Sequence, residues 1–132
     1  MEDGIFCKII RKEIPCHEIY EDKDVLVFLD IKPISKGHCL IVTKKHYKTL
    51  LDIPDKEGRY LFKIIKHIGN ALLKSLKAGG FNLGMNNFKA AGQEIMHAHF
   101  HIIPRFENDS LKHWPGKEFE EGKYIEEIKR FL

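Results

Sequence analysis

The chain has no apolar run approaching the ~20 residues that a membrane span needs, although 43% of its 132 residues are hydrophobic. No membrane partner is expected. It carries only three cysteines, Cys7, Cys16 and Cys39. An odd count without paired spacing speaks against a disulfide scaffold and for a reducing compartment. Met1-Glu2-Asp3-Gly4 lacks the basic start and apolar core of a signal peptide, so the expected location is cytoplasmic. No block of one charge sign is present. The 22 Lys and Arg lie among 19 Asp and Glu, with a net charge of +3, which reads as solvated surface with no nucleic-acid partner. A phosphate loop is also missing, because Gly79-Gly80-Phe81-Asn82-Leu83-Gly84 lacks the lysine such a loop requires. No repeat, low-complexity tract or linker interrupts the chain. One domain over residues 1–132 is expected, with a core at about 4–104 and a charged tail at about 105–132.

Periodicity supplies the elements. Residues 5–11 suit a short helix with Ile5, Phe6, Ile9 and Ile10 on one side. Val25 to Asp30 alternates as a strand, with Val25, Val27 and Leu29 on one face and Leu26, Phe28 and Asp30 on the other. A turn-rich connector, Lys32-Pro33-Ile34-Ser35-Lys36-Gly37, leads to a second strand, His38 to Val42, in which His38, Leu40 and Val42 share a face. Leu61, Ile64, Ile65, Ile68, Leu72 and Leu76 recur at helical spacing. Asp52 is the expected N-cap of that helix, Pro54 falls in its first turn, and Ala78-Gly79-Gly80 stops it. Phe81 to Met85 reads as a strand, Asn86 to Gly92 as a polar loop, and Ile95 to Ile103 as a last strand closed by Pro104. The layout is α+β, with a mainly antiparallel sheet, a short N-terminal helix and one long helix on one face.

The last strand carries the chemistry. Met96-His97-Ala98-His99-Phe100-His101-Ile102-Ile103-Pro104 places histidines at i, i+2 and i+4. An extended chain points all three to one face, about 6–7 Å apart, with Ala98, Phe100 and Ile102 on the other. Imidazole titrates near neutrality, attacks electrophiles and binds metals. Two readings stay open on geometry alone. One is metal-free nucleophilic chemistry. The other is a zinc site in which two histidines at i, i+2 share the ion with a third, His38 or His101. The surroundings sketch a nucleotide site, and the resemblance described below makes a purine nucleotide the expected substrate. Gly92-Gln93 suits close approach to phosphate oxygens, with two amide donors on Gln93. Asp30 offers a carboxylate to a ribose diol, and Ile5, Phe6 and Phe28 offer apolar walls to a base.

At this point the residues resemble a known family. His97-Ala98-His99-Phe100-His101 is similar to the His-x-His-x-His signature of the histidine triad (HIT) superfamily. Gly4 to Pro15 looks like the opening of the HINT (histidine triad nucleotide-binding) branch, as do bacterial HIT-like proteins. Phe28-Leu29-Asp30-Ile31, Gly37 to Val42, Lys44-Lys45-His46, Asn86, Ala91-Gly92-Gln93 and His113-Trp114-Pro115 follow in family order, so the likeness covers about residues 4–116.

The resemblance implies a five-stranded HIT-like roll that forms a homodimer. It implies hydrolysis at the α-phosphate of nucleoside phosphoramidates or of AMP and GMP conjugates, through a nucleotidyl-histidine. His99 is then the nucleophile, His101 and His38 hold phosphate oxygens and the leaving group, and His97 supports His99 from behind. Asp30 matches the ribose ligand, Ile5, Phe6, Phe28 and Ile31 the base pocket, Asn86, Gly92 and Gln93 the phosphate side, and Trp114 a tail that reaches the partner's site. The alternatives are dinucleoside polyphosphate hydrolysis, as in the fragile-histidine-triad branch, and a nucleotide-binding scaffold with incidental catalysis.

Three positions depart from the pattern. Glu94 stands where Ser or Thr is usual near the leaving group. Gly4 replaces the first cysteine of a Cys-x-x-Cys seen in zinc-containing bacterial relatives. Cys7, His46 and His97 then leave a four-ligand site one short, so no cofactor and no metal ligand are expected.

Overall fold

A computed structural model describes residues 4–118, 122 and 124–132. The reading of the extreme N-terminus, and the parts of the single-domain expectation at residues 1–3, 119–121 and 123, lie outside the described residues. Five strands form one sheet: β1 (Glu18–Glu21), β2 (Val25–Leu29), β3 (Cys39–Thr43), β4 (Gly80–Gly84) and β5 (His99–Arg105). Their order is β1-β2-β3-β5-β4, and every neighbouring pair is antiparallel. Three helices accompany it among the described residues: α1 (Ile5–Ile10), α2 (Asp55–Leu76) and α3 (Ile125–Lys129). Among the described residues, no helix is long and apolar enough to cross a membrane.

Both faces of the central sheet are buried, and the register shows what each face carries. Directly paired residues in an antiparallel sheet share a face. Val27, Ile41 and Phe100 are paired across three strands, and their face packs against Leu61, Ile64, Ile65, Ile68 and Leu72 of α2. Leu26, Val42 and His99 are paired in the same way, as are Phe28, Leu40 and His101. This second face receives Phe6 and Ile9 of α1. The expectation of a helix on one face is therefore met by α2, while α1 makes a smaller second layer. The two histidines of β5 lie on the α1 side.

Several boundaries differ from the sequence reading. The histidine strand begins at His99, four residues later than expected. Pro104 lies inside it, opposite Phe81. Arg105 O accepts the Gly79 N–H, so the next residue back faces the β3 side, where pairing has already ended at Ile102. The missing N–H of Pro104 therefore breaks no ladder. Asp52 does not cap α2. It closes a capping box with Thr49 on a separate 3₁₀ turn, Leu50–Asp52, and α2 follows from the N-cap Pro54. At the other end α2 stops at Leu76, with Lys77 in the left-handed region, and Gly80 already belongs to β4. The edge strand β1 and helix α3 were not read from the sequence, although Ile125, Ile128 and Leu132 recur at helical spacing.

Candidate active site

The three histidines do not form one row. His99 and His101 sit side by side on β5, with ring centroids 5.1 Å apart. His97 precedes the strand, and its ring reaches Thr43 O at the end of β3 while Phe6 of α1 stands edge-on to it as to His99. Two of the three expected imidazoles therefore belong to the strand itself, and the third lies just before it. The anchors of the preceding loop explain it. Gln93 is buried, its amide nitrogen donates to Lys48 O (2.6 Å) and Ile95 O (3.0 Å), and its oxygen accepts Phe88 N–H (2.8 Å). Ala98 N–H then donates to Tyr47 O at 2.7 Å. The chain is thus pinned to the β3–α2 connection until it joins the sheet at His99. The carboxamide of Gln93 is fully committed within the protein and shapes this loop. Gly92, with φ +91°, closes the adjoining 3₁₀ turn, Lys89–Ala91, in a conformation that favours glycine. Asn86, exposed on the same loop, donates to Gly92 O at 3.4 Å.

Hydrogen bonds to the main chain assign the imidazole tautomers. His99 Nδ1 lies 2.8 Å from His97 O. A carbonyl can only accept, so Nδ1 carries the proton and Nε2 keeps its lone pair. His38 sits just before β3, and its Nδ1 accepts Ile34 N–H at 3.0 Å. In the neutral ring the proton is then on Nε2, which lies 2.9 Å from His101 Nδ1. His101 is left with its proton on Nε2. A directed chain results: Ile34 N–H to His38, His38 Nε2–H to His101 Nδ1, and His101 Nε2–H as the terminal donor. Burial lowers the pKa of His38 and of His99. It pushes His101 down to about 4, with the neighbouring His99 and His38 contributing in the same direction. The rings are neutral at pH 7, which keeps a nucleophilic lone pair on His99.

Apolar and acidic neighbours surround the histidines. Phe6 meets His99 edge-on at 5.0 Å and Phe28 at 5.6 Å. Both phenylalanines are buried, whereas Ile5 is exposed and Ile31 is 85% exposed, so the expected base-pocket residues divide into a floor and an open rim. Asp30 Oδ2 is 3.5 Å from His38 Nε2, and its Oδ1 accepts Lys32 N–H. Trp114, 85% exposed, lies away from these contacts in the tail.

Among the described residues, two clusters have the composition of cation sites: Asp30, His38 and His101, and Cys7, His46 and His97. The ring tautomers separate them. In the first, His38 Nε2 carries a proton where a metal bond would have to form, and the cluster reads as a hydrogen-bond chain. In the second, His97 Nε2–H donates to Thr43 O at 2.7 Å, which leaves Nδ1 with its lone pair aimed at its neighbours. Cys7 Sγ is 3.7 Å from His46 Nδ1 and 3.6 Å from His97 Nδ1, and the two nitrogens are 3.2 Å apart. Tetrahedral zinc, with Zn–S about 2.3 Å and Zn–N about 2.0–2.1 Å, sets those separations at about 3.6 and 3.4 Å. The three donors fit zinc. The sequence reading named Cys7, His46 and His97 and expected no metal there, because with Gly4 in place of a first cysteine a four-ligand site is one short.

An α+β protein whose open sheet carries a centre built from histidines is the class that this fold and site define. The chain belongs to the HIT family, whose HIT domain matches residues 11–108. It is 48% identical over 113 residues to an uncharacterized HIT-like protein of Borreliella burgdorferi, covering 84% of this chain and 81% of that one. It is 42% identical to the adenosine 5′-monophosphoramidase HNT1 of Saccharomyces cerevisiae, covering 86% and 71%. Among solved structures, SMU.412c from Streptococcus mutans superposes with a TM-score of 0.90 at 38% identity, over 99% of this chain and 86% of that one. A zinc-bound histidine triad family protein from Mycobacterium smegmatis gives 0.80 at 34% identity, over 90% and 86%.

Proposed function

We propose that this chain hydrolyses nucleoside phosphoramidates, or related AMP and GMP conjugates, through a nucleotidyl intermediate on His99. The observation that carries the reading is the His99 Nδ1–H bond to His97 O at 2.8 Å. It presents a neutral lone pair on Nε2 without any prior deprotonation. The resemblance of the chain to a yeast adenosine 5′-monophosphoramidase points to the same substrate class.

In the first step His99 Nε2 forms a bond to the α-phosphorus while the bond to the leaving nitrogen breaks. The electron pair departs with that nitrogen, which takes a proton from water. His101 Nε2–H, oriented by His38, donates to a phosphoryl oxygen where charge develops. The positive charge gained by the His99 ring is stabilised by the His97 carbonyl. In the second step the oxygen of water bonds to phosphorus, the Nε2–P pair returns to the ring, and the water proton leaves to solvent. Asp30 takes the ribose hydroxyls, and Ile5 and Ile31 cover the base above the floor of Phe6 and Phe28. The backbone of the loop from Asn86 to Gly92 faces the phosphates. Cys7, His46 and His97 would hold a zinc-class cation. Its chemistry there is a cross-link among α1, the exit of β3 and the approach to β5.

The test is turnover of adenosine 5′-phosphoramidate by wild type and His99→Ala, with acid-quenched wild type analysed by mass spectrometry. Turnover is expected in wild type alone, with one adenylyl group on the peptide that contains His99. Equal turnover in His99→Ala rejects the assignment, and preferential turnover of diadenosine polyphosphate moves it to the alternative substrate.

A homodimer is part of the proposal. The surface area is 9886 Å², whereas a compact monomer of 15.4 kDa exposes about 7,200 Å². Strand β4 is an edge, with Phe81 and Leu83 exposed, and Ile128, Phe131 and Leu132 are exposed in the tail.

A further inference from the structure

We infer that the main-chain N–H of Ile34 is a positioning group for the proton donor His101, acting through His38, and that it ties the donor to recognition of the nucleoside. The inference rests on the proposed nucleotidyl chemistry and concerns what fixes the direction of the donor.

His38 closes the turn that precedes it. Asp30 N–H donates to His38 O and His38 N–H to Ser35 O, each at 3.0 Å. Ile34 N–H donates to His38 Nδ1, also at 3.0 Å. The main chain and the ring of one residue therefore hold both the stem of the turn and its middle. Gly37 anchors the end next to His38, where its φ of +88° and its approach to Leu76 and Pro104 leave no space for a Cβ. The His38 ring is buried, and a buried ring nitrogen without a partner is costly. Ile34 N–H supplies that partner, from a residue whose own side chain is exposed.

The pair His38 and His101 has two neutral arrangements that keep the same 2.9 Å bond between the rings. In one, the His38 proton is on Nε2 and His101 presents Nε2–H to a phosphoryl oxygen. In the other, the His38 proton is on Nδ1, the bond between the rings reverses, and His101 presents a lone pair that repels that oxygen. The bond between the rings is equally good either way, so it cannot choose. Ile34 N–H chooses, because two protons cannot face each other at His38 Nδ1. Asp30 Oδ2, 3.5 Å from His38 Nε2, favours a proton on the same nitrogen. Both influences come from one turn, and that turn carries the residues assigned to ribose and base, Asp30 and Ile31. Ile31 stands exposed, and a nucleoside seated against it and Asp30 steadies the turn from outside. A bare phosphate has nothing to place there. Part of the binding energy of the nucleoside is thereby expressed in the donor.

The experiment uses full-length protein: wild type, Ile34→Ala, and a form in which the amide at position 34 is replaced by an ester, which removes the N–H and keeps the side chain. Each is checked for folding by circular dichroism. The nitrogen-15 shifts of the His38 and His101 rings report which nitrogen carries each proton. Wild type and Ile34→Ala should show both rings protonated on Nε2. The ester should bring in the reversed arrangement, seen as new or broadened ring signals. It should also lower kcat for adenosine 5′-phosphoramidate about 10-fold, the weight of one hydrogen bond turned against the productive arrangement, with KM nearly unchanged. In wild type, saturating AMP should slow solvent exchange of the Ile34 N–H, and inorganic phosphate should not. A His38 ring protonated on Nδ1 in wild type, ring signals unchanged by the ester, or an undiminished kcat overturns the positioning role. Equal exchange with AMP and with phosphate overturns the tie to the nucleoside. If the ester form misfolds, the wild-type ring shifts and exchange rates decide alone. Ring signals that follow the N–H in a protein inactive on every conjugate leave the positioning role standing and reject the proposed activity instead.

Discussion

His38 Nε2 lies 2.9 Å from His101 Nδ1, and the two rings form a single hydrogen-bonded unit whose direction is set by the Ile34 N–H. In the proposed reaction His101 is a donor toward substrate, and its tautomer requires that His38 supply a proton to its other nitrogen. His38→Ala should therefore behave like damage to His101, lowering kcat/KM for adenosine 5′-phosphoramidate by about 10- to 100-fold, or roughly 1–3 kcal/mol for an orphaned buried partner. In the double variant with His101→Ala the two losses should be far from additive. Additive losses would show that the rings act independently.

Acid should unfold the protein through this same pair. Burial lowers the pKa of His38 and carries His101 to about 4, against the opposing influence of Asp30. An unfolded histidine titrates at about 6.5. Between these values the unfolded chain binds protons that the native chain refuses, so stability rises with pH there. It is complete above about pH 6.5 and falls toward pH 4, by roughly 1–3 kcal/mol for the pair. Denaturant unfolding at pH 7 and pH 4.5, compared with a His38→Asn, His101→Asn variant, should show the pH slope flattened in the variant. An identical slope would place the acid sensitivity elsewhere.

Gly37 has φ +88°, and a Cβ there would lie 2.4 Å from Leu76 Cδ1 and 3.2 Å from Pro104 Cγ. Gly37→Ala should cost about 2–3 kcal/mol from left-handed strain and overpacking together. Adding Leu76→Ala should recover the overpacking and leave the strain, a split that a thermal double-mutant cycle reads directly. A neutral Gly37→Ala would mean that the turn before His38 yields freely.

Gln93→Ala leaves Lys48 O, Ile95 O and Phe88 N–H without their partner. About 1–3 kcal/mol of stability should be lost, detected as a lower urea midpoint with unchanged slope. An unaltered midpoint would show that water replaces the amide without penalty.

Sedimentation of wild type should show a dimer. Leu83→Asp, on the exposed face of the edge strand β4, should shift it toward monomer, because a charge blunts an unpaired edge. A monomeric wild type would remove the dimer from the proposal.

Much of this molecule was legible because the residues involved obey strong local rules. The stripe from Leu61 to Leu72 could only be a helix with one buried face, and Val25 to Leu29 could only be a strand. The contact of His38 with His101 was not read from the alternation, and the two were named together only through the family resemblance. What escaped notice depends on contacts far apart in sequence. His97 follows the alternation of His99 and His101, yet the bonds of Gln93 and Ala98 to the 47–48 backbone pull it out of the strand. Thr49 took Asp52 for its own capping box, which no reading of α2 alone would reveal. The convergence of Cys7, His46 and His97 needs three segments folded together, and the sequence shows only their separations.

The contact between Cys7 and His97 spans 90 residues, and its neighbour Phe6 forms the wall beside His99. Helix α1 therefore meets the final strand of the sheet beside His99. Closing so large a loop is entropically costly and comes late in folding. The β2–β3 hairpin and α2 close only short loops and can form before α1 and β5 meet. In the proposed reaction, His99 gains its Phe6 wall only when those two distant segments find each other.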